Sequence, residues 1–423
     1  MDADSFHRVA KVLADSGEAE SIEAAQATLS GFGVRVVLHE AAKHDVGLQV
    51  IAKTVINAAA RTFLGNVCID ATEDIPLLAA GFEGRSLGQF CAWAGVVPTV
   101  PQSTWPEIHI GSTGVEDARG TICVWADGWA YGLGRHQRSD GHFAPACVAA
   151  GGLAVSEAFS LLRRDNPYAG RRDVALSLWA PGSEHPDRGP EHDAAAPSAW
   201  LVGLGHLGQA YAWTLGFMRP LGGSTVVLQD VDTVTLSTLS TSVLSSAADV
   251  GRNKARVVAR WLEARGYATA IVERRFDQHQ RVAAAEPRTA LFGVDNAAAR
   301  RVVEGAGFDM VIDAGLGSGF KDFRAMRLRT FPGPSSAAQL WAAPDGGASS
   351  SVSAPAYRTL LAQGADPCGV TTLATRAVGA PFVGCVAAGY VVAELLRRQI
   401  GGQGYAVVDL NLRDPGAMQV VQA

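Results

Sequence analysis

The chain has 423 residues, which is too long for one ordinary domain, and two domains are predicted. Hydrophobic residues make up 48% of the chain and charged residues 18%, so there is ample material for packed cores. The formal net charge of -5 gives no basic footprint for nucleic acid. The six cysteines form no C-x-x-C pair, which argues against a disulfide framework or structural zinc and favours a reduced, cytoplasmic protein. The first 20 residues are mixed in charge and helical in pattern, so we expect no secretion signal. No uninterrupted apolar run reaches about 18 residues, so we expect no membrane span.

The first unit, residues 1–180, alternates between predicted strands and predicted helices. Strands are predicted at 33–38, 66–69 and 173–179, a strand or hairpin at 120–133, and helices at 46–63 and 145–164. A segment rich in proline and charge follows at 181–198, and its composition is typical of a linker.

The second unit, residues 199–423, repeats this alternation. Strands are predicted at 199–202, 225–230, 269–273, 290–295, 310–315 and 405–412, with helices at 208–217 and 253–265 and a long apolar helix before the last strand. Strands that alternate with helices predict an α/β fold with a doubly wound, mostly parallel, Rossmann-like sheet.

The pentapeptide CVAAG occurs twice, at 147–151 and at 385–389. Each copy lies in an Ala-rich helix that continues to a glutamate and an Arg-Arg pair and precedes a short strand. Chance convergence of small packing residues is one explanation, but the shared order favours a duplicated architecture. The first unit is then a degenerate relative of the second, because no G-x-G-x-x-G turn precedes Gly203. Cys147 and Cys385 lie on these helices and are predicted to be core residues.

A glycine turn begins the second unit. Gly203, Gly205 and Gly208 follow a predicted strand and open a helix, and this context lets a backbone approach a phosphate at a helix N-terminus. Asp230 ends the next strand, where a carboxylate can hold ribose hydroxyls. These residues indicate a nucleotide, but a nicotinamide-dependent dehydrogenase has the same pattern.

Lys254 distinguishes an ATP site from a nicotinamide-dinucleotide site. It lies near the start of the helix after the Asp230 strand, where a dehydrogenase has no obvious use for a lysine. At an ATP site an ammonium group neutralises the charge that develops between the α- and β-phosphates. A solvated surface lysine is the alternative explanation.

Four segments in this order resemble the ThiF/MoeB/ubiquitin-activating adenylation domain, over roughly residues 199–400. They are Asp230-Val-Asp232, the Ser/Thr-rich loop 237–244, Val250 to Ala255 with Lys254, and Asp295-Asn296 to Arg300. The resemblance implies that Asp230 holds the ATP ribose, Lys254 contacts phosphate, and Asp295 positions Mg²⁺ and the phosphates. It also implies nucleotide-binding roles for Asp232, Asn253 and Asn296.

The sequence departs from this family in the loop after Asp232. Members of the family usually have the sequence S-N-L-x-R-Q here, whereas this chain has Ser237-Thr238-Leu239-Ser240-Thr241-Ser242. Threonines replace the asparagine and arginine that normally touch ATP, and His206 stands where glycine is frequent. An arginine from the first unit or from a partner protomer is one replacement, with Arg61 as a candidate, and a different mode of ATP binding is the other.

Cys368 lies in the segment 335–380, the crossover on which ubiquitin-activating relatives carry their acyl-accepting cysteine. A cysteine at a helix N-terminus favours the reactive thiolate, so the resemblance implies a thioester at Cys368. A packing role is the ordinary alternative. The glycine-rich stretch 313–319 either leaves a channel for an extended peptide tail or is an ordinary loop.

The resemblance implies activation of a ubiquitin-like protein with a glycine-ended tail, using ATP and Mg²⁺, and transfer to a conjugating-enzyme-like partner. It leaves a homodimer open and implies neither nucleic acid nor membrane as a partner. Three alternatives stay open: adenylation for sulfur transfer or for peptide or tRNA modification, a non-catalytic nucleotide-binding scaffold, and a nicotinamide oxidoreductase.

Overall fold

The computed structural model describes residues 6–71, 74–78, 82, 84–112, 120–135, 142–191, 195–317, 319–342 and 351–423. Its helices are α1 (Ala10–Ser16), α2 (Ile22–Ser30), α3 (Val46–Thr62), α4 (Leu87–Ala94), α5 (Ala144–Arg163), α6 (His206–Leu215), α7 (Lys254–Glu263), α8 (Ala297–Arg301), α9 (Ala337–Leu340), α10 (Pro355–Ala362), α11 (Pro367–Thr375) and α12 (Pro381–Gln399).

The strands form two large sheets and one short pair. The first sheet contains β1 (Val34–Leu38), β2 (Val67–Asp70), β3 (Glu107–Ile110), β4 (Thr121–Asp127), β5 (Ala130–Leu133) and β6 (Val174–Ser177). The remaining strands are β7 (Ala195–Ala196), β8 (Ala199–Val202), β9 (Arg219–Pro220), β10 (Thr225–Gln229), β11 (Ala268–Val272), β12 (Thr289–Phe292), β13 (Met310–Leu316), β14 (Ala325–Phe331), β15 (Tyr405–Asn411) and β16 (Gln419–Gln422).

The two sheets share one topology. The first has the order β2-β1-β3-β4-β5-β6, and the second has β10-β8-β12-β13-β14-β15 at its centre, with β11 and β16 added at the edges. In both, the first four of these strands are parallel and the last two are antiparallel to their neighbours. The helices that carry the CVAAG repeats, α5 and α12, occupy the same place in this order, which is the arrangement expected of a duplicated architecture.

Four helices lie between the sheets and share one continuous apolar core. Helices α3 and α5 pack on the first sheet, α12 packs on the second, and α6 packs on both α12 and α5. Cys147 and Cys385 are buried in this layer, as predicted. By length and composition α5 could cross a membrane, but 89% of its apolar window is buried inside the protein, which is typical of a core helix.

The predicted fold class is confirmed, and the structure adds strands that the prediction does not include. Strands β3 and β14 are absent from the prediction, and β16 follows the strand that is expected to be the last. The sheet edge from β13 to β16 is antiparallel, so the second sheet is mixed.

Candidate functional site

A cavity of about 1070 Å³ opens at the carboxyl ends of the strands of the second sheet. It lies between β8 and β12, where the strand order reverses, and ligands bind at this point in open α/β sheets. Its walls come from both sequence units and include the glycine turn, the ends of β10 and β12, part of the Ser/Thr loop, Arg8 and residues 377–379.

The glycine turn has the geometry that close backbone approach requires. Gly203 has φ +81°, and a Cβ on Gly208 would lie 2.1 Å from the Gly203 carbonyl oxygen. A Cβ on Gly205 would meet no atom of the described residues within 4 Å, so this residue opens onto the cavity. Helix α6 begins here and directs its N-terminal amides toward the same space.

Asp230 ties the end of β10 to the glycine turn. Its carboxylate accepts hydrogen bonds from the backbone N–H of Leu204 at 2.6 Å and of Asp232 at 2.7 Å. Burial raises the pKa of Asp230, and the neighbouring Lys254 acts in the opposite direction. The Nζ atom of Lys254 lies 3.2 Å from Asp232 Oδ2, and its side chain is 14% exposed. Lys254, Asp232 and Asp230 therefore form one charged wall of the cavity.

Asp295 and its neighbour have separate roles after β12. Asn296 caps α8, because its Oδ1 accepts a hydrogen bond from Ala299 N at 2.8 Å. Asp295 is exposed in the cavity, and no hydrogen bond or ion pair engages its carboxylate within the described part of the chain. A strand-end cap therefore does not explain Asp295.

Arg8 enters the cavity beside the loop that lacks the family arginine. Its backbone N–H donates to Ser240 Oγ at 3.2 Å, and its guanidinium donates to the Ala377 carbonyl at 2.9 Å. Arg61 instead lies beneath the loop, where it donates to the carbonyls of Leu239 and Val243 and does not line the cavity. No local sequence signal marks Arg8, because 229 residues separate it from Ser237.

His206 packs between the glycine turn and the start of α12. Its ring atoms are the nearest neighbours of the space that a Cβ on Gly384 would occupy. Burial, with a further effect from Arg8, lowers the pKa of His206 to about 4, so the imidazole is neutral at pH 7. It contributes shape to the turn and no charge.

The cavity favours an anion. Six cationic side chains line it (Arg8, Lys254, Arg274, Arg275, Arg300 and Arg301) against four carboxylates (Asp230, Asp232, Asp277 and Asp295). A triphosphate with its cation matches this balance better than an uncharged ligand does.

Three residues predicted for the site do not line the cavity. Gly208 supports the turn from behind, and the side chain of Asn253 donates to Glu273 Oε1 at 2.8 Å. Cys368 is exposed at the start of α11, on the segment that continues to cavity residues 377–379. The other predicted residues are brought together: Gly203, Gly205, Asp230, Asp232, Lys254, Asp295 and Asn296.

Comparison with known proteins gives the family. Residues 33–178 match the BilD N-terminal domain and residues 196–402 match the BilD C-terminal domain. The bacterial E1-like protein BilD of Collimonas sp. (strain OK412) is 39% identical, and the match covers 96% of this chain and 91% of that protein. The chain belongs to the BilD family of bacterial E1-like proteins. The predicted resemblance to ubiquitin-activating enzymes is thereby confirmed at the level of the family.

Solved structures of E. coli MccB are more distant from this BilD-family chain. The complex with ATP is 14% identical with a TM-score of 0.35, and the match covers 54% of this chain and 65% of MccB. The complex with SeMet MccA is 14% identical with a TM-score of 0.34, covering 55% and 64%. The chain thus spans about two thirds of the length of MccB.

Proposed function

We propose that this chain uses ATP and Mg²⁺ to adenylate the C-terminal carboxylate of a ubiquitin-like protein. The observation that carries the proposal is the convergence of an open glycine turn, Lys254 and the exposed carboxylate of Asp295 in one cavity. Membership in an E1-like family supports the same activity. In this proposal residues 199–423 form the active unit, residues 1–180 form an inactive one, and the reaction takes place in the cytoplasm.

The reaction needs positioning and charge neutralisation from the protein. A carboxylate oxygen of the tail attacks the α-phosphorus of ATP, the bond from that phosphorus to the bridging oxygen breaks, and pyrophosphate leaves with the electron pair. The attacking group is already an anion, so no general base is required. Lys254 and Arg8 supply cations at the cavity wall, and the amides at the start of α6 supply neutral donors.

Asp295 fits a magnesium ion. Mg²⁺ in nucleotide sites is held by one or two carboxylates, and phosphate oxygens and water complete its coordination. Among the described residues, no group of three His, Cys, Asp or Glu side chains forms a ready-made metal site. One exposed carboxylate beside a phosphate-binding turn agrees with that requirement. When bound there, Mg²⁺ would neutralise charge on the phosphates.

Cys368 is the proposed acceptor in a second step. Its thiolate attacks the acyl carbonyl of the adenylate, AMP leaves, and a thioester forms, from which the acyl group passes to a conjugating-enzyme-like partner. Cys368 lies outside the cavity, so the second step requires α11 and the adenylate to approach each other. Because Cys368 lies outside the cavity, a second candidate function is adenylation without a thioester step.

Nucleotide binding and pyrophosphate exchange test the first step. The purified chain is expected to bind Mg²⁺–ATP but not NAD, and to catalyse ATP–pyrophosphate exchange with a fluorescent peptide that ends in Gly-Gly. Lys254→Ala and Asp295→Ala should each lower the exchange rate by about 100-fold or more, because each removes a fixed charge that stabilises the phosphates or their metal ion in the proposed complex. Arg256→Ala is the matched control, since Arg256 lies on the same helix α7 but pairs with Glu273 outside the cavity. Tight NAD binding without ATP binding would contradict the proposal.

The same reaction tests the second step. A reductant-sensitive adduct of the fluorescent peptide on the chain should form in the parent and in Cys91→Ala, and should be absent in Cys368→Ala. Normal exchange with no such adduct, or an adduct that survives Cys368→Ala, supports the second candidate function instead.

A further inference from the structure

One face of the second sheet carries a row of arginines next to the cavity. Arg327 and Arg329 lie on β14, opposite Gly315 and Asp313 on β13, so their side chains share a face of the sheet. Helix α12 covers the opposite face, where Ile312, Met326 and Leu328 belong to the apolar core. Arg300 joins the row by donating to Asp313 Oδ1 at 2.9 Å. With Arg301 these residues are named the arginine strip (Arg300, Arg301, Arg327 and Arg329).

The arginine strip has more positive charge than its acidic neighbours balance. Asp313 is engaged by Arg300, and Asp409 is engaged by Arg327. Arg301 and Arg329 have no carboxylate within 4.0 Å in the part of the chain that the structure describes. Partial burial, with a further effect from Arg327, lowers the pKa of Arg329, which agrees with uncompensated positive charge at this position.

Trp341 forms a wall of the same surface. The guanidinium of Arg329 lies 5.4 Å from the Trp341 ring centroid, and that of Arg300 lies 5.6 Å from it. The Trp341 carbonyl also accepts a hydrogen bond from Arg301 Nε at 2.8 Å. These contacts hold three of the four guanidinium groups in fixed positions, which lowers the entropy cost of binding a carboxylate.

The arginine strip is continuous with the cavity. Arg300 and Arg301 line the cavity, and so do Leu316 and Gly317 at the end of β13. Gly315 has no side chain to separate the arginine strip from the cavity. A Cβ at this position would lie 3.6 Å from the Arg300 guanidinium. Gly315 lies two positions before Gly317, and Asp313 lies four positions before it. An extended chain advances about 3.3 Å per residue, so a bound tail would cover this distance with a few residues.

We propose that the arginine strip selects a tail with an acidic side chain within about five residues of its terminal carboxylate, a spacing set by the rise of an extended chain. The inference rests on the proposed function, because it assumes that the terminal carboxylate enters the cavity. The strip would bind the acidic side chain while the terminal carboxylate faces the α-phosphate. It is thus a specificity determinant for the substrate and takes no part in the chemistry.

Matched peptides test this selectivity. Fluorescein-labelled octapeptides that end in Gly-Gly carry Glu, Gln or Lys at the third, fourth or fifth residue from the end, and binding is measured by fluorescence anisotropy with Mg²⁺–ATP present. At one of these positions the Glu peptide should bind about five- to tenfold more tightly than the Gln peptide, as a charge-assisted pair at a half-buried site does. The preference should weaken as salt is raised from 50 to roughly 500 mM, because surface charges are screened.

Charge reversal supplies the decisive variant. Arg329→Glu should abolish the preference for the Glu peptide and favour the Lys peptide instead. Arg288→Glu reverses a more exposed arginine that pairs with Asp309 and lies outside the cavity, and it should keep the parent preference. Equal binding of the Glu, Gln and Lys peptides, or no binding of any, overturns the inference.

Exchange activity separates this inference from the proposed function. Selective binding of the Glu peptide without any ATP–pyrophosphate exchange removes the adenylation proposal and leaves the arginine strip as a binding site. Exchange that proceeds at equal rates with all three peptides supports adenylation and removes the arginine strip as its selectivity element.

Discussion

Arg8 supplies a cation that the Ser/Thr loop lacks. It lies in the cavity beside Thr241, where the related family carries an arginine, and it is held by Ser240 and by the Ala377 carbonyl. Arg8→Ala is expected to lower kcat/KM for ATP–pyrophosphate exchange by about 10- to 100-fold, because a fixed cation near developing phosphate charge is removed. Arg8→Lys should recover part of the rate, and the exposed Arg171→Ala should leave it unchanged. A rate for Arg8→Ala within twofold of the parent rate would exclude this role.

Residues within one local motif could be predicted from the sequence, and residues supplied by a distant segment could not. Gly203, Lys254 and Asp295 each lie in a short pattern whose spacing fixes its place in the fold, and all three line the cavity. Arg8 has no such pattern and arrives through tertiary packing. Arg61 does not replace the arginine that the Ser/Thr loop lacks. Its guanidinium donates to the carbonyls of Leu239 and Val243 in that loop and does not enter the cavity.

At the scale of elements, helix α1 connects the cavity to the segment that carries Cys368. Lys11 forms a buried ion pair with Asp15 and donates to the Ala374 carbonyl on α11 at 3.0 Å, and Tyr357 on α10 donates to Asp15. Helix α1 has only seven residues, which is too short to be stable by itself, so these contacts hold it in place. Its position in turn sets the position of Arg8.

Removing one member of this buried pair should release α1. In Asp15→Ala the opening free energy of residues 10–16 is expected to fall by about 3 kcal/mol or more, because Lys11 becomes an uncompensated buried charge. Hydrogen exchange followed by mass spectrometry should then be about 100-fold faster in this segment, with little change in α7. Tyr357→Phe removes the hydrogen bond to the Asp15 carboxylate but leaves the ion pair, and it should cost about 1.5–3 kcal/mol, less than Asp15→Ala. Unchanged protection of α1 in Asp15→Ala would show that other contacts anchor it.

The two strands absent from the prediction differ in the signal that the sequence carries. Strand β14 alternates arginines on one face with core residues on the other, which is a strand pattern, so its sequence does carry a signal for it. Strand β3 has only four residues, too few for a clear alternation. Strands β1, β10 and β13 could be predicted because burial within the sheet sets their alternation or apolar run.

At the scale of the whole molecule, the CVAAG repeats meet each other. Gly389 in the second repeat faces Ala149 in the first, and Gly152, which directly follows the first repeat, faces Cys385 in the second. The two units are further joined by hydrogen bonds such as Trp213 Nε1 to Thr54 Oγ1 at 3.1 Å. The packing of α5 against α12 therefore accounts for Gly389, whereas the matching Gly151 of the first repeat faces Thr54 on α3.

Small residues at this helix pair should be required for the two units to associate. A Cβ on Gly389 would lie 2.8 Å from the Cβ of Ala149 and 2.8 Å from the Pro145 carbonyl oxygen. Alanine is intrinsically preferred over glycine in a helix by about 1 kcal/mol, so Gly389→Ala would stabilise α12 if packing did not oppose it. We expect overpacking to outweigh that preference and to destabilise the protein by about 1–3 kcal/mol, seen as a lower thermal unfolding midpoint. Gly305→Ala, with no atom of the described residues near the added Cβ, should not lower the midpoint. A Gly389→Ala midpoint at or above the parent value would mean that the helices can separate slightly without cost, and that the repeat reflects descent alone.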